Sequence, residues 1–143
     1  IDPTTLSGAI NGRENVYAQL DSMLSNAKES VTIVTTAEGF LRKISYFRSK
    51  FKKLAERGVK IRIATQLNEE IKKIAKDLNK IIQVRPLKRM RARFTIIDGK
   101  EVLFMITDDN KIHESTDTAI WVNTPFFANA LETMFNVNCV ERQ

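Results

Sequence analysis

The chain has 143 residues, 43% of them apolar and 28% charged, which is enough for one ordinary domain with its own core and excludes a disordered chain. No apolar run reaches the roughly 18 residues of a membrane span, and the N-terminus lacks the basic and apolar regions of a signal peptide, so the expected compartment is the cytoplasm. The net charge of +6 favours anionic partners, and one cysteine (Cys139) with one histidine (His113) excludes an internal disulfide and the usual zinc site, so no metal or cofactor is expected.

Residues 1 to 11, IDPTTLSGAIN, carry Pro, Gly, Ser and Thr and read as a linker or a strand-like lead-in, with the domain proper over 12 to 143. From Gly12 the spacing of Val16, Leu20, Met23, Leu24 and Ala27 predicts a helix with Arg13 and Glu14 on its outer side, and VTIVTT (31 to 36) predicts a buried strand. A longer helix follows, with Leu41, Ile44, Phe47, Phe51, Leu54 and Ala55 on one stripe and Gly58 as its C-terminal cap. VKIRIA (59 to 64) alternates as a second strand. Asn68 caps a third helix, whose inner face is Ile71, Ile74, Ala75 and Leu78 and whose Glu69 and Glu70 suit the positive N-terminal end.

A short strand, IIQVR (81 to 85), is ended by Pro86. RARFTII (91 to 97) and EVLFMI (101 to 106) are then joined through Asp98-Gly99-Lys100, a strong hairpin signal. The polar loop TDDNKIHESTD (107 to 117) leads to the strand TAIWV (118 to 122). Thr124 as N-cap and Pro125 at the first helical position open a last helix with Phe127, Ala130, Leu131, Met134 and Phe135 as its apolar stripe. This order predicts an α/β fold with a mixed sheet of about six strands flanked by helices, parallel in its first half and antiparallel near the hairpin.

The charge is unevenly spread. Residues 42 to 93 hold eighteen Lys and Arg against four acids, Glu56, Glu69, Glu70 and Asp77. That segment is either a face for nucleic acid or another anion, or a set of ordinary solvated helix surfaces. Trp121 reads as a core or interface residue, and His113 as a solvated or pH-sensitive loop contact. Cys139 reads as inert packing near the end of an apolar helix. Phe126 stands beside the last helix's stripe and points to a dimer contact, so a homodimer is expected.

The chemistry concentrates around RMRARFTIIDGKEVLFM, residues 89 to 105. Side chains alternate across a strand, so Arg91, Arg93 and Thr95 share one face while Ala92, Phe94 and Ile96 share the other. Two adjacent guanidinium groups, with Lys60 or Arg62 on a neighbouring strand, would give a phosphate or carboxylate several fixed donors. Alternatively the arginines pair with Asp108 or Asp109. Asp98 either joins the site or serves the turn, because Asp-Gly is also what a tight hairpin requires.

The same stretch resembles the phospholipase D superfamily motif H-x-K-x-x-x-x-D, often followed by G-S-x-N. Aligning Asp98 with the motif aspartate puts Arg91 at the histidine and Arg93 at the lysine, with Met105, Ile106 and Asp108 on the glycine, serine and asparagine. In that superfamily the histidine attacks phosphorus, which needs a group able to lose its proton near neutral pH, and arginine cannot. No enzymatic activity is therefore expected. The wider run, GRENVYAQLDSMLSNAKESVTIVTT, then LAERGVKIRIAT, then RARFTIIDGKEVLFM, resembles the phospholipase D-like effector domain of archaeal regulators of the TrmB type. The resemblance implies a transcription regulator in which a winged helix, N-terminal to this chain, binds DNA, while this domain senses a small anionic effector and dimerises. The candidate ligand-binding residues are Arg91, Arg93 and Asp98, with Lys60 and Arg62 beside them. The alternatives are a nucleic-acid-binding module using residues 42 to 93 and a phosphodiesterase or nuclease of the phospholipase D superfamily.

Overall fold

A computed structural model of the chain describes residues 7–88, 92–107 and 117–138. In chain order the elements are β1 (Ser7–Asn11), α1 (Arg13–Ser25), β2 (Ser30–Val34), α2 (Ala37–Glu56), β3 (Lys60–Thr65), α3 (Glu69–Asp77), β4 (Gln83–Pro86), β5 (Phe94–Ile97), β6 (Glu101–Met105), β7 (Thr118–Asn123) and α4 (Pro125–Asn138). The strands form one mixed seven-stranded sheet in the order β1-β7-β6-β5-β2-β3-β4. Strands β2, β3 and β4 run parallel, and the pairs on the other side of β2 are antiparallel.

One strand more than the expected six is present. Ser7–Asn11, within the segment read as a linker or lead-in, pairs antiparallel with β7 and forms a sheet edge. The strand is short and carries Gly8, so its apolar alternation is too brief to register in sequence.

Period-2 alternation divides the core. Val31, Ile33, Ile61, Ile63, Ile97 and Leu103 meet the inner faces of α1 and α2, with Ile71 of α3 in the same cluster. Val34, Ala64, Phe94, Ile96 and Val102 meet Ala128, Leu131 and Phe135 of α4 on the opposite side. The α1–α3 helices therefore share one face, as right-handed crossovers between parallel strands require. The buried stripe of α4 is Ala128, Leu131 and Phe135, which shares Leu131 and Phe135 with the expected stripe and takes Ala128 in place of Phe127, Ala130 and Met134. Phe127 and Met134 stay 37% and 45% exposed, and Phe127 meets Phe104 edge-on at 5.7 Å.

The ends of the elements follow local chemistry. Thr36 caps α2 by accepting from the Gly39 amide at 3.0 Å, and Asn68 caps α3 by accepting from Ile71 at 2.8 Å. Gly58 ends α2 at φ 88°, the left-handed backbone of a helix stop. Asp98 and Gly99 both have positive φ, 56° and 66°, which gives the β5–β6 hairpin the turn whose twist matches its strands.

Candidate functional site

The cleft begins where β2 ends. Thr35 follows the strand and Thr36 caps α2, whose first turn lies so close to the strand end that a Cβ at Gly39 would collide with the Thr35 hydroxyl. That approach is open to glycine alone, and it brings Arg42 and Lys43, one turn on, over the carboxyl end of the sheet. Lys43 Nζ donates to Thr35 Oγ1 at 3.4 Å and stands 5.6 Å from the Tyr17 ring centre. The crevice outside the carboxyl ends of parallel strands, where the sheet changes direction, is where open α/β sheets place ligands.

Asp117 lies beneath this cleft, just before β7, and is 1% exposed. Arg13, the first residue of α1, donates through Nε to its Oδ2 at 2.9 Å. Arg93 approaches its Oδ1 at 3.9 Å and donates to the Thr107 carbonyl at 2.6 Å. The Thr107 hydroxyl reaches Oδ1 at 3.4 Å, and the Gly12 amide donates to the Asp117 carbonyl at 2.6 Å. One buried carboxylate thus serves two arginines and ties the start of α1 to the end of β6. A charge so buried is tolerated only when it is paired and hydrogen-bonded.

Around this cluster a small cavity of about 20 Å³ is lined by Arg13, Tyr17, Arg42, Lys43, Arg93 and Asp117 among others, room for about one water-sized group. Arg13, Tyr17 and Arg42 also line a groove of about 1050 Å³ between the starts of α1 and α2. Tyr46 forms part of its wall and is 65% exposed, its ring held edge-on to Tyr17 at 5.1 Å. Among the described residues no group of three or more His, Cys, Asp or Glu side chains could hold a metal ion.

Of the four described residues among the five singled out from sequence, the geometry places Arg93 at this cleft and the other three elsewhere. Arg91 lies outside the described residues, as do Asp108, Asp109, His113 and Cys139. Arg62 is on the opposite face. In register it sits beside Thr32, and Thr32 beside Ile96, on the side covered by α4. There its guanidinium donates to Glu132 at 2.7 Å and to Thr32 at 2.9 Å and stacks 4.7 Å from the Phe135 ring centre. It pins α4 to the sheet. Lys60 is exposed at the start of β3, at the other end of the sheet.

Asp98 is also at that far end. Its carboxylate accepts from the amides of Lys28 (3.0 and 3.2 Å), Glu29 (2.7 Å) and Ser30 (3.0 Å). Burial pushes its pKa up, but those amides and the nearby Lys100 charge outweigh burial and leave it below the ordinary carboxylate value. The residue anchors the hairpin to the loop before β2.

Arg13, Arg42, Lys43 and Asp117 escaped the sequence reading. Arg13 was placed on the outer side of α1, yet it stands three, four and seven positions before Val16, Tyr17 and Leu20, all buried. It continues the buried stripe, and that spacing was a usable signal.

The family model for the transcriptional regulator TrmB, EBD N-terminal subdomain, matches residues 8–141. Among solved structures, TrmBL2, an archaeal chromatin protein described with a novel mode of DNA binding, superposes with a TM-score of 0.70 at 22% identity over 92% of this chain. This chain spans 51% of that one. NucT from Helicobacter pylori superposes with a TM-score of 0.69 at 18% identity, over 95% of this chain and 98% of its own. Nuc from Salmonella typhimurium, a phospholipase D family member, gives 0.67 at 16% identity, over 96% and 97%. The fold is therefore phospholipase D-like. Among curated proteins, none matches the chain.

Proposed function

The chain belongs to the TrmB family of transcriptional regulators, and from that premise we propose that it is a catalytically inactive, effector-sensing and dimerising domain whose DNA-binding winged helix precedes it in the whole protein. The observation that carries the reading is the Arg13–Asp117–Arg93 cluster beneath an open basic groove. Arginine stands at positions 91 and 93, where phosphodiester cleavage on this fold would use groups that exchange a proton. What remains suits binding. An incoming anion competes with Asp117 for Arg13, and Asp117 is hydrogen-bonded to Gly12 at the junction of β1 and α1. The ligand then shifts the protein between two arrangements to the extent that it binds one more tightly.

Dimerisation is supported by α4. Its outward side presents Phe126, 88% exposed, with Met134 and Val137 at 45% and 75%, an uncharged apolar strip of the kind that subunit contacts cover.

The test is electrophoretic mobility of the full-length protein on its own upstream DNA, with and without small anions. An anion should alter DNA binding by the wild type, and Arg93→Gln should lose that response while still binding DNA. Hydrolysis of bis(p-nitrophenyl) phosphate by the wild type and not by Arg93→Gln would overturn catalytic inactivity.

A second reading, direct contact with nucleic acid, is favoured by the exposure of Lys52, Lys53, Lys72, Lys73, Lys76 and Lys80. It requires an affinity for duplex DNA that falls steeply with salt. No association of this domain alone at about 50 mM salt removes it.

A further inference from the structure

The two faces of the sheet are covered unequally. Strands β7 and β1 turn Ala119, Trp121 and Ile10 toward the core under α1, whereas on the other face, among the described residues, α4 is the one helix. The side chains it buries stand on β2, β3, β5 and β6. The outer strands are left half-covered: Ile120 and Val122 are half-buried and Ala9 is exposed. In register, Ala9 stands beside Ile120, Ile120 beside Phe104 and Phe104 beside Phe94. That row stays apolar to the edge of the sheet, whereas an antiparallel sheet face open to water carries polar side chains. Two strand spacings make about 10 Å, the width of one helix, so the flank formed by β7 and β1 is a seat one helix wide.

The helix beside that seat has a matching outer side. Phe126, Ala130, Met134 and Val137, at i, i+4, i+8 and i+11, form one exposed stripe. Glu132, the one charged residue of α4, is held by Arg62 on the side toward β3, while Phe127 meets Phe104 on the side toward β6. Stripe and seat are therefore both bare of charge. In a chain of net charge +6 like charge repels a second copy over much of the surface, and a charge-free face is where two copies can meet. An acidic or nucleic-acid partner finds no cation there.

Resting on the dimerising reading above, we propose that the occupant of the seat is a second copy of this chain. The α4 stripe of each protomer lies across the β7–β1 flank of the other, with Ala130 over Ile120. A two-fold axis makes this contact twice and covers both stripes and both seats at once. Ala130, the smallest side chain of the stripe, lets the helix approach the partner's sheet closely.

Sedimentation of the protein over a range of concentrations, together with maleimide cross-linking, separates the outcomes. The wild type should dimerise. Phe126→Glu and Val137→Glu, both at exposed positions outside the buried stripe of α4, should each raise the dimer dissociation constant about thirtyfold, as loss of one central contact does. Tyr46→Glu, at an exposed position on α2, should leave it unchanged. In a Cys139→Ser background, a short bismaleimide should join Ala130→Cys copies to co-expressed Ile120→Cys copies, a size tag on one of them marking the hybrid. A dimer indifferent to both glutamates and without the hybrid overturns this contact and leaves dimerisation standing. Ala130→Cys copies joined only to one another overturn the seat on β7 and β1, because stripe then meets stripe. Protein that stays monomeric overturns both readings.

Discussion

Asp98 and Asp117 are carboxylates at opposite ends of the same sheet, and each is saturated by a different kind of donor. Asp98 is held by three successive backbone amides, of Lys28, Glu29 and Ser30, leading into β2. Those donors are part of the chain itself and cannot be handed to another acceptor, so the residue is architecture. Asp117 is held by two guanidinium groups and a hydroxyl beneath a groove. Side-chain cations can exchange one anion for another at modest cost in rearrangement. A motif read along the strand joins Arg93 and Asp98 into one site; the fold places them at opposite ends of the sheet.

Substitutions at the two carboxylates test that division. The largest effect is expected from Asp117→Asn, which removes the buried carboxylate that Arg13 and Arg93 share. Breaking a buried pair of this kind costs about 3–5 kcal/mol, read from urea unfolding. Adding Arg93→Gln should return part of the loss, and a strictly additive double variant would mean the three groups do not act together. Asp98→Asn should cost less, about 2 kcal/mol, the scale of hydrogen bonds to a charged acceptor. If it cost more than Asp117→Asn, the contrast drawn above would fail.

The pH dependence follows from the sign of the Asp98 shift. Burial works against the charge, but the amides of Ser30, Glu29 and Lys28 prevail, so the folded pKa lies below the ordinary 3.8. Its contribution is complete above that value and disappears as pH falls through the folded pKa. Wild type should therefore lose stability below about pH 4 faster than Asp98→Asn, as measured by acid unfolding curves. The smallest effect sharpens the same end of the molecule. Gly99→Ala, at φ 66°, should cost about 1 kcal/mol in thermal unfolding through left-handed strain and leave the cleft's ligand affinity unchanged.

Most elements were legible because their signals are local. The cap at Asn68, the stop at Gly58, the Asp98-Gly99 turn and the stripe of α1 each depend on residues within about one or two turns. The site was less legible because its pairings are not local. Arg13 and Asp117 are 104 positions apart, and no periodicity links them. Alternation correctly separated Arg93 from Phe94, but it cannot say which face of β3 lies beside which face of β5. That is settled by register through β2, and it sends Arg62 to α4. On α4 the apolar residues are so numerous that the stripe has no unique phase. Glu132, held by Arg62, was the residue that marked it.

The placement of β1 has a consequence in time. Asn11 pairs with Thr118, 107 positions later, whereas β3 joins β2, and β4 joins β3, after one crossover each. At about 5–20 residues per second of synthesis, β1 waits on the order of 5–20 s for its partner. Arg13 waits equally long for Asp117, so the basic cleft is assembled only after the loop before β7 has been made.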